Sequence, residues 1–188
     1  MDFEEDLNNS IKTLREGGII LYPTDTVWGL GCDATNHAAV EKIIGIKSRN
    51  SKSLIILVDG VGMLERYVMN VPEVVYELIE VSETPLTIVY SEGRNLAPGV
   101  CSEDGSVGIR ICKDEFCRNM IQRLKKPVVS TSANTTGQTT PSNFSEIDNL
   151  IINSADYVVK YRQTDNKKYA ASPILKVEDN GVIRIIRK

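Results

Sequence analysis

The sequence predicts an α/β (α+β) fold, in which helices flank one twisted, open, mixed β-sheet. The chain has 188 residues, which suits one domain with a substantial core, so residues 1–188 are predicted to form a single domain. Hydrophobic residues make up 41% of the chain and charged residues 25%, proportions that are typical of globular proteins. Strand and helix patterns also intermix without strict βα alternation, which favours a mixed sheet.

Helices are predicted where apolar residues recur every three or four positions and a capping or breaking residue marks an end. These patterns predict helices over residues 3–16, over residues 36–46 with Asn36 as N-cap, and after Pro72, Asp114 and Ser145.

Strands are predicted from short apolar runs that turn residues bound. The predicted strands cover residues 19–22, 53–58, 86–90, 107–111, 127–131, 157–160, 174–177 and 182–187.

The composition argues against several classes of protein. A formal net charge of −3 disfavours binding to nucleic acid through the overall field of the surface. No apolar run approaches the roughly 20 residues that span a bilayer, and the acidic N-terminus is unlike that of a secretory signal. We therefore expect a soluble, cytoplasmic protein that makes no membrane contact.

The cysteines and the one histidine do not form a metal-binding pattern. Cys32, Cys101, Cys112 and Cys117 include no CxxC pair, and His37 is the only histidine. Zinc sites usually need closer ligand pairs and more nitrogen ligands. We expect reduced cysteines that act as small hydrophobic residues, and a histidine that lies at the surface.

The segment LYPTDTVWGLGCDA places small hydroxyl groups directly after a predicted strand. Thr24, Asp25 and Thr26 leave the strand, and Gly29 and Gly31 follow. Such a loop lets backbone amides face a ligand, although a plain turn explains the pattern almost as well. The segment is not a phosphate-binding P-loop, since GxxxxGK[ST] and GxGxxG are both absent.

Two further short runs suit a polyphosphate ligand. Lys47-Ser48-Arg49 is expected in an exposed loop after a helix, where Arg49 could make a bidentate contact and Lys47 could act as a point charge. The bland alternative is that these cations only offset the helix dipole. Ser130 to Asn134 ends a predicted strand, and its hydroxyl and amide groups either donate to phosphate oxygens or form local turns.

Arg110 lies on an otherwise apolar predicted strand that follows Ser106. Burying this guanidinium is costly without an anion, which would be an Asp or Glu of the protein or a ligand carboxylate. No nucleophile elbow, HExxH motif or carboxylate pair accompanies it. A site of this kind would act by positioning groups and neutralising charge, as phosphoryl or nucleotidyl transfer allows.

At these motifs the sequence resembles the YrdC/TsaC family. YPTDTVWGLGCDA, KSRNSKSLIILV, SVGIR and PVVSTSANTTG follow one another in the family's order, and the resemblance spans roughly residues 8 to 187. Family members with both K-x-R and S-x-N are threonylcarbamoyl-AMP synthases, whereas the related YciO-type proteins lack that signature. This chain has both K-x-R and S-x-N, which favours the active enzyme over a YciO-type protein.

The resemblance implies a reaction, a fold and partners. L-Threonine, bicarbonate or CO2, and ATP with its Mg2+ would give threonylcarbamoyl-AMP and pyrophosphate. Transfer proteins of the TsaD/TsaB/TsaE type would then modify adenosine 37 of tRNA, and a direct tRNA contact is possible in such a scheme. The family fold is a twisted open sheet with a concave groove.

The resemblance also assigns site residues. ATP would be bound by Lys47, Arg49, Ser106, Ser132, Asn134 and Arg187, of which Lys47 and Arg49 would be catalytic. Threonine would be bound by Thr24, Arg110, Ser130 and Ser172, with Arg110 pairing the carboxylate. No protein metal ligand is implied.

The chain departs from the family pattern at several positions. Trp28 replaces a usual Tyr, Asn50 and Ser53 stand where prolines are common, and Pro173 replaces the Thr that usually follows Ser172. Two other functions remain open. One is an RNA- or tRNA-binding module without adenylate synthesis, and the other is the related carbamoyl-adenylate chemistry of hydrogenase maturation.

Overall fold

The computed structural model describes residues 3–47 and 54–188. Within these residues the α-helices are α1 (Phe3–Arg15), α2 (His37–Lys47), α3 (Val61–Tyr67), α4 (Glu73–Val81), α5 (Glu115–Leu124) and α6 (Asn149–Asn153), and a short 3₁₀ turn covers Phe144–Glu146. The strands are β1 (Ile20–Tyr22), β2 (Gly29–Gly31), β3 (Ile55–Val58), β4 (Thr87–Tyr90), β5 (Val107–Ile111), β6 (Val128–Ser132), β7 (Tyr157–Val158), β8 (Ile174–Val177) and β9 (Ile183–Arg187).

All of these strands join one mixed sheet, which confirms the predicted fold class. Their order across the sheet is β7-β1-β2-β6-β3-β5-β4-β8-β9. Three neighbouring pairs are parallel, β7 with β1, β3 with β5, and β4 with β8, and the other neighbours are antiparallel. Strands far apart in the chain therefore become neighbours, which brings distant loops together.

The predicted helix starts agree with local capping. The Asn36 side chain accepts a hydrogen bond from the backbone N–H of Ala39 at 3.1 Å, and the Asp114 side chain accepts one from the N–H of Cys117 at 3.0 Å. Each side chain satisfies a backbone donor that the first turn of a helix leaves without a partner.

Strand β2 was predicted as part of a loop, in which its two glycines would let backbone amides face a ligand. The structure explains them by packing. A Cβ on Gly31 would lie 2.6 Å from a ring carbon of Tyr22 and 2.6 Å from the carbonyl oxygen of Val129. Only a glycine therefore lets β2 pass between β1 and β6 at this point.

Two other predictions of local structure were incomplete or wrong. Ser145 lies inside the 3₁₀ turn and does not cap a helix; the N-cap of α6 is Asp148, which accepts a hydrogen bond from the N–H of Leu150 at 2.7 Å. Helix α3 was not predicted, since its seven residues are too short to show a clear period.

The sheet presents one face to the core and the other to a cavity. Along β4, Ile88 and Tyr90 are buried in the core, while Thr87 and Val89 line the cavity. This alternation follows from the two-residue period of a strand. Among the described residues, none of the helices has the length and apolar content that spanning a membrane requires.

Candidate active site

A cavity of about 620 Å³ lies over the sheet. Seven strands contribute residues to its lining, namely β2, β3, β4, β5, β6, β8 and β9. The strand register explains why these residues share a face. Ser130 pairs with Ile55, Ile55 with Gly108, and Gly108 with Val89, and all four line the cavity.

Five of the predicted site residues line this cavity. They are Arg110, Ser130, Ser132, Ser172 and Arg187. They come from β5, β6, β9 and the segment before β8, so the predicted convergence of distant stretches of chain is present. Their individual roles stay predictions.

Arg110 is 4% exposed, and its charge has a partner within the protein. One terminal nitrogen lies 3.1 Å from Oδ1 of Asp25, whose side chain is also buried. Among the residues that the structure describes, none donates a hydrogen bond to that carboxylate oxygen, so the pair is close without being aligned. Of the two partners that the sequence left open for Arg110, a protein carboxylate is the one present. The Nε–H group of Arg110 has no hydrogen-bond partner among the described residues.

Ser172 connects Arg110 with the second arginine of the cavity. Its hydroxyl lies 2.7 Å from the Thr87 hydroxyl and 3.4 Å from the other terminal nitrogen of Arg110. Its carbonyl accepts two hydrogen bonds from the Arg187 guanidinium, at 3.0 and 2.6 Å. Replacement of the usual Thr by Pro173 therefore leaves Ser172 at the cavity.

Partial burial, and to a lesser extent the nearby charge of Arg110, lower the pKa of Arg187. Both causes disfavour the charged guanidinium. A ligand anion between the two arginines would relieve their repulsion, so this part of the cavity favours a carboxylate or a phosphate.

Lys47 does not lie in an exposed loop, contrary to the prediction. It is the last residue of α2 and is 2% exposed. Its ammonium donates to the Ser132 carbonyl at 2.8 Å, to the Asn134 carbonyl, and to the Asn134 side-chain oxygen at 3.1 Å. The prediction missed the burial because the loop that covers Lys47 comes from more than 80 residues further along the chain.

Lys47 of the K-x-R motif therefore contacts both Ser132 and Asn134 of the S-x-N motif. Ser132 also donates to the Asn134 side chain at 2.6 Å, so the loop and Lys47 form one hydrogen-bonded unit behind the cavity wall. Arg49, Asn50 and Ser53 fall within residues 48–53, outside the described residues.

Thr24 forms a local turn, which was one of the two structures predicted for its segment. Its hydroxyl donates to the Val27 carbonyl at 2.8 Å and accepts from the N–H of Thr26 at 3.0 Å. Thr24 is buried and does not line the cavity, although it approaches Arg110 to 3.5 Å. Thr26, two residues on, does line it.

Ser106 is not among the residues that line the cavity, whereas Ser102 is. The Ser106 hydroxyl donates to Asp104 at 2.6 Å and closes a turn.

Sequence reasoning missed several residues of the site. Asp25, Thr87, Ser102 and Thr140 were not assigned roles, although the hydroxyl of Thr87 in an otherwise apolar strand is a signal that could have indicated a polar face. Trp28 lines the cavity and packs on Phe144, with ring centroids 4.8 Å apart, so an aromatic side chain is retained at this position.

The described residues contain no group of three or more His, Cys, Asp or Glu side chains that could hold a metal ion. His37 is exposed and lies 3.4 Å from Glu41 on the surface of α2.

Comparisons with known proteins agree with the motifs. The family model Sua5_yciO_yrdC, described as telomere recombination, matches residues 12–188. The threonylcarbamoyl-AMP synthase of Pseudoalteromonas translucida is 32% identical over 154 residues, which cover 80% of this chain and 82% of the relative. That of Saccharophagus degradans is 34% identical over 134 residues, 70% of each chain.

Solved structures share the fold. The match with E. coli YciO has a TM-score of 0.81 at 19% identity, and it covers all of this chain and 90% of the YciO chain. P. abyssi Sua5 complexed with L-threonine has a TM-score of 0.77 at 21% identity; the match covers 94% of this chain and 52% of Sua5, about half of its length. The matched family model and the bacterial relatives together show that the chain belongs to the Sua5/YciO/YrdC family.

Proposed function

We propose that this chain is an L-threonylcarbamoyladenylate synthase, a nucleotidyltransferase that uses L-threonine, bicarbonate or CO2, and ATP. The observation that carries the proposal is the convergence of Arg110 and Arg187 with several hydroxyl groups on one cavity of about 620 Å³. Two cations in one pocket suit two anionic substrates, an amino-acid carboxylate and a triphosphate. The relatives named threonylcarbamoyl-AMP synthase support this choice of reaction.

Threonine belongs beside Arg110 in this proposal. The Arg110 guanidinium, which lines the cavity, and the hydroxyl of Ser172 beside it are the donors proposed for its carboxylate. Asp25 holds the far side of the guanidinium, so the carboxylate would share Arg110 with it and need not displace it. Ser130 lies on the same wall, while Thr24 would support the site from behind.

ATP belongs beside the loop of Ser132 and Asn134. Lys47 places a buried positive charge directly behind this loop, and Arg187 supplies a second cation at the other side of the cavity. The role of Arg49 as a phosphate ligand stays part of the proposal on the K-x-R motif alone. Ser106, which does not line the cavity, stays part of the ATP site in this proposal through the family resemblance.

The reacting groups come from the substrates. The threonine amine takes up CO2 to form a carbamate, whose oxygen attacks the α-phosphorus of ATP as the bond to pyrophosphate breaks. The protein must orient the two anions and neutralise the charge that the pyrophosphate carries away. The described cavity lining contains hydroxyl and guanidinium groups and no carboxylate, which fits Mg2+ carried by the phosphates.

The product would be used in the cytoplasm. Transfer proteins of the TsaD/TsaB/TsaE type would move the threonylcarbamoyl group to adenosine 37 of tRNA. Bicarbonate and these partners belong to the proposal through the family resemblance, and so does any direct contact with tRNA.

A threonine-dependent ATP–pyrophosphate assay tests the proposal. Pyrophosphate release should need both threonine and bicarbonate. Arg110→Met should raise the KM for threonine more than the KM for ATP, whereas His37→Ala, at the exposed face of α2, should change neither. Tight RNA binding without threonine-dependent release would contradict the proposal and favour an RNA-binding module.

Lys47→Ala should abolish adenylate formation. Because Lys47 is buried and holds three oxygens, the same change should also lower the melting temperature, unlike a change in an exposed loop. Activity must therefore be measured below the melting temperature of the variant, and wild-type turnover by the folded variant would count against the assignment.

A further inference from the structure

A long connection crosses the molecule between β7 and β8. This crossing segment, residues 159–173, starts at the edge strand β7 and ends at β8, seven strands away. Residues 161–164 of this segment form a turn, and contacts along its course decide where it lies.

One side chain ties the crossing segment to the site. The Arg162 guanidinium donates to the Thr24 carbonyl at 3.1 Å and to the Asp114 carboxylate at 3.1 Å. It also lies 3.6 Å from the Asp165 carboxylate and 4.8 Å from the centre of the Tyr169 ring. Arg162 thus contacts the loop after β1, the N-cap of α5 and its own segment at the same time.

The backbone at Arg162 is in an unfavourable conformation for an arginine. Its φ is +66°, in the left-handed region where a side chain costs free energy and glycine does not. A glycine would relieve this strain but would remove every contact of the guanidinium. The contacts of the Arg162 side chain maintain this strained backbone conformation, and strained residues of this kind cluster at functional sites.

Two chains of neighbouring residues connect Arg162 with Arg110. On one side, Thr24 lies 3.5 Å from Arg110. On the other side, the segment continues through Tyr169, whose N–H donates to the Ser142 carbonyl, to Ser172, which lies 3.4 Å from Arg110. Displacing the segment would therefore move two neighbours of the Arg110 guanidinium.

We propose that Arg162 is a positioning residue for threonine, which acts by clamping the crossing segment and the Thr24 loop around Arg110. The inference rests on the proposed function, since it names the substrate as threonine. Arg162 does not line the cavity, so it acts through its neighbours and does not touch the substrate. The loop of Ser132 and Asn134 is held separately by Lys47, so ATP should be affected much less.

A guanidinium suits this position better than an ammonium. One terminal nitrogen donates to the Thr24 carbonyl and to Asp114, while Nε lies 3.6 Å from Asp165 and the guanidinium carbon lies over the Tyr169 ring. A lysine keeps the charge but has a single nitrogen, so it cannot make all of these contacts at once. Arg162→Lys is therefore the variant that separates geometry from charge.

The test compares Arg162→Lys and Arg162→Ala with Arg123→Ala. Arg123 also donates to a carboxylate through two nitrogens, to Glu4, but on the exposed surface between α1 and α5. Both Arg162 variants should raise the KM for threonine about 10-fold or more and change the KM for ATP less than about 2-fold, since small displacements of a binding group cost this much. Arg123→Ala should change neither.

A readout that needs no turnover accompanies the kinetics. Hydrogen exchange of peptides covering residues 20–27 and 169–174 should increase together in Arg162→Lys and stay unchanged in Arg123→Ala. Equal rises in both KM values, an unchanged threonine KM, or exchange that rises in neither peptide would overturn the inference. Absence of threonine-dependent turnover in the wild type would contradict the proposed function instead, and the exchange result would still decide whether Arg162 clamps the two segments.

Discussion

Removal of the Asp25 carboxylate should expose how much the cavity depends on one buried ion pair. In Asp25→Ala, Arg110 would keep its charge at 4% exposure and lose the carboxylate that lies 3.1 Å away. Asp25 also accepts a hydrogen bond from the backbone N–H of Lys113 at 3.3 Å, which would lose its partner as well. The variant therefore leaves one buried cation and one backbone donor without their partners.

The expected loss of stability follows from these contacts. Breaking a buried pair by removing one partner costs about 3–5 kcal/mol, and the lower end applies because water in the cavity can reach Arg110. With an unfolding entropy of about 2.1 cal/mol/K per residue, about 3 kcal/mol corresponds to a melting temperature about 8 °C lower for a chain of this size. Saturating threonine should recover part of this loss, since its carboxylate would face the same guanidinium.

Urea unfolding and thermal melting would measure the effect, with two controls. Glu4→Ala removes an exposed, solvent-screened ion pair with Arg123 and should lower the free energy of unfolding much less than Asp25→Ala does. The double change Asp25→Ala with Arg110→Met removes both charges, and should be more stable than Asp25→Ala alone. A loss below about 1 kcal/mol in Asp25→Ala, or strictly additive effects in the double variant, would refute the reasoning.

Three further predictions concern other parts of the fold. Gly31→Ala should destabilise the chain by about 1–3 kcal/mol because its Cβ meets Tyr22, whereas Gly45→Ala, in open space within α2, should be neutral or stabilising; equal denaturation midpoints would contradict this. Asp6→Ala should cost about 3 kcal/mol in urea unfolding, since the buried Asp6 accepts hydrogen bonds from the Tyr157 hydroxyl and two backbone N–H groups, and a loss below about 1 kcal/mol would argue against it. Burial raises the pKa of Cys32 to about 12, so the neutral thiol stabilises the native state up to about pH 9, and this contribution should be lost as the pH rises from 9 towards 12; Cys32→Ala should flatten the fall of unfolding free energy over that range, and an unchanged slope would refute this assignment.

Most of the secondary structure was predictable because its signals are local. The amphipathic period of α1 and the caps Asn36 and Asp114 determine helices within one or two turns of chain. Strand β5 agrees with its prediction residue for residue, because its apolar run is bounded by turn residues. The local rules failed at β2, where Gly31 is required by close contacts with Tyr22 on β1 and with Val129 on β6, which is far away along the chain.

The candidate site was predictable only in part. Its residue types were recognisable from motifs, and five predicted residues do line the cavity. The burial of Lys47, the turn made by Thr24 and the pairing of Arg110 with Asp25 were not recognisable, since each depends on a contact between separate segments. Arg162 carried no sequence signal, because its importance comes from where the crossing segment runs.

The amino-acid sequence by itself determined which segments become helices and strands, and which chemical groups are available to hold anions. The tertiary structure alone decided which of these groups face the cavity and which serve the scaffold. The reason is physical: propensity, capping and periodicity act over a few residues, whereas burial and charge pairing depend on strands that become neighbours across the sheet. Lys47 shows the difference, since its charge can be read from the chain but its partners come from a loop more than 80 residues away.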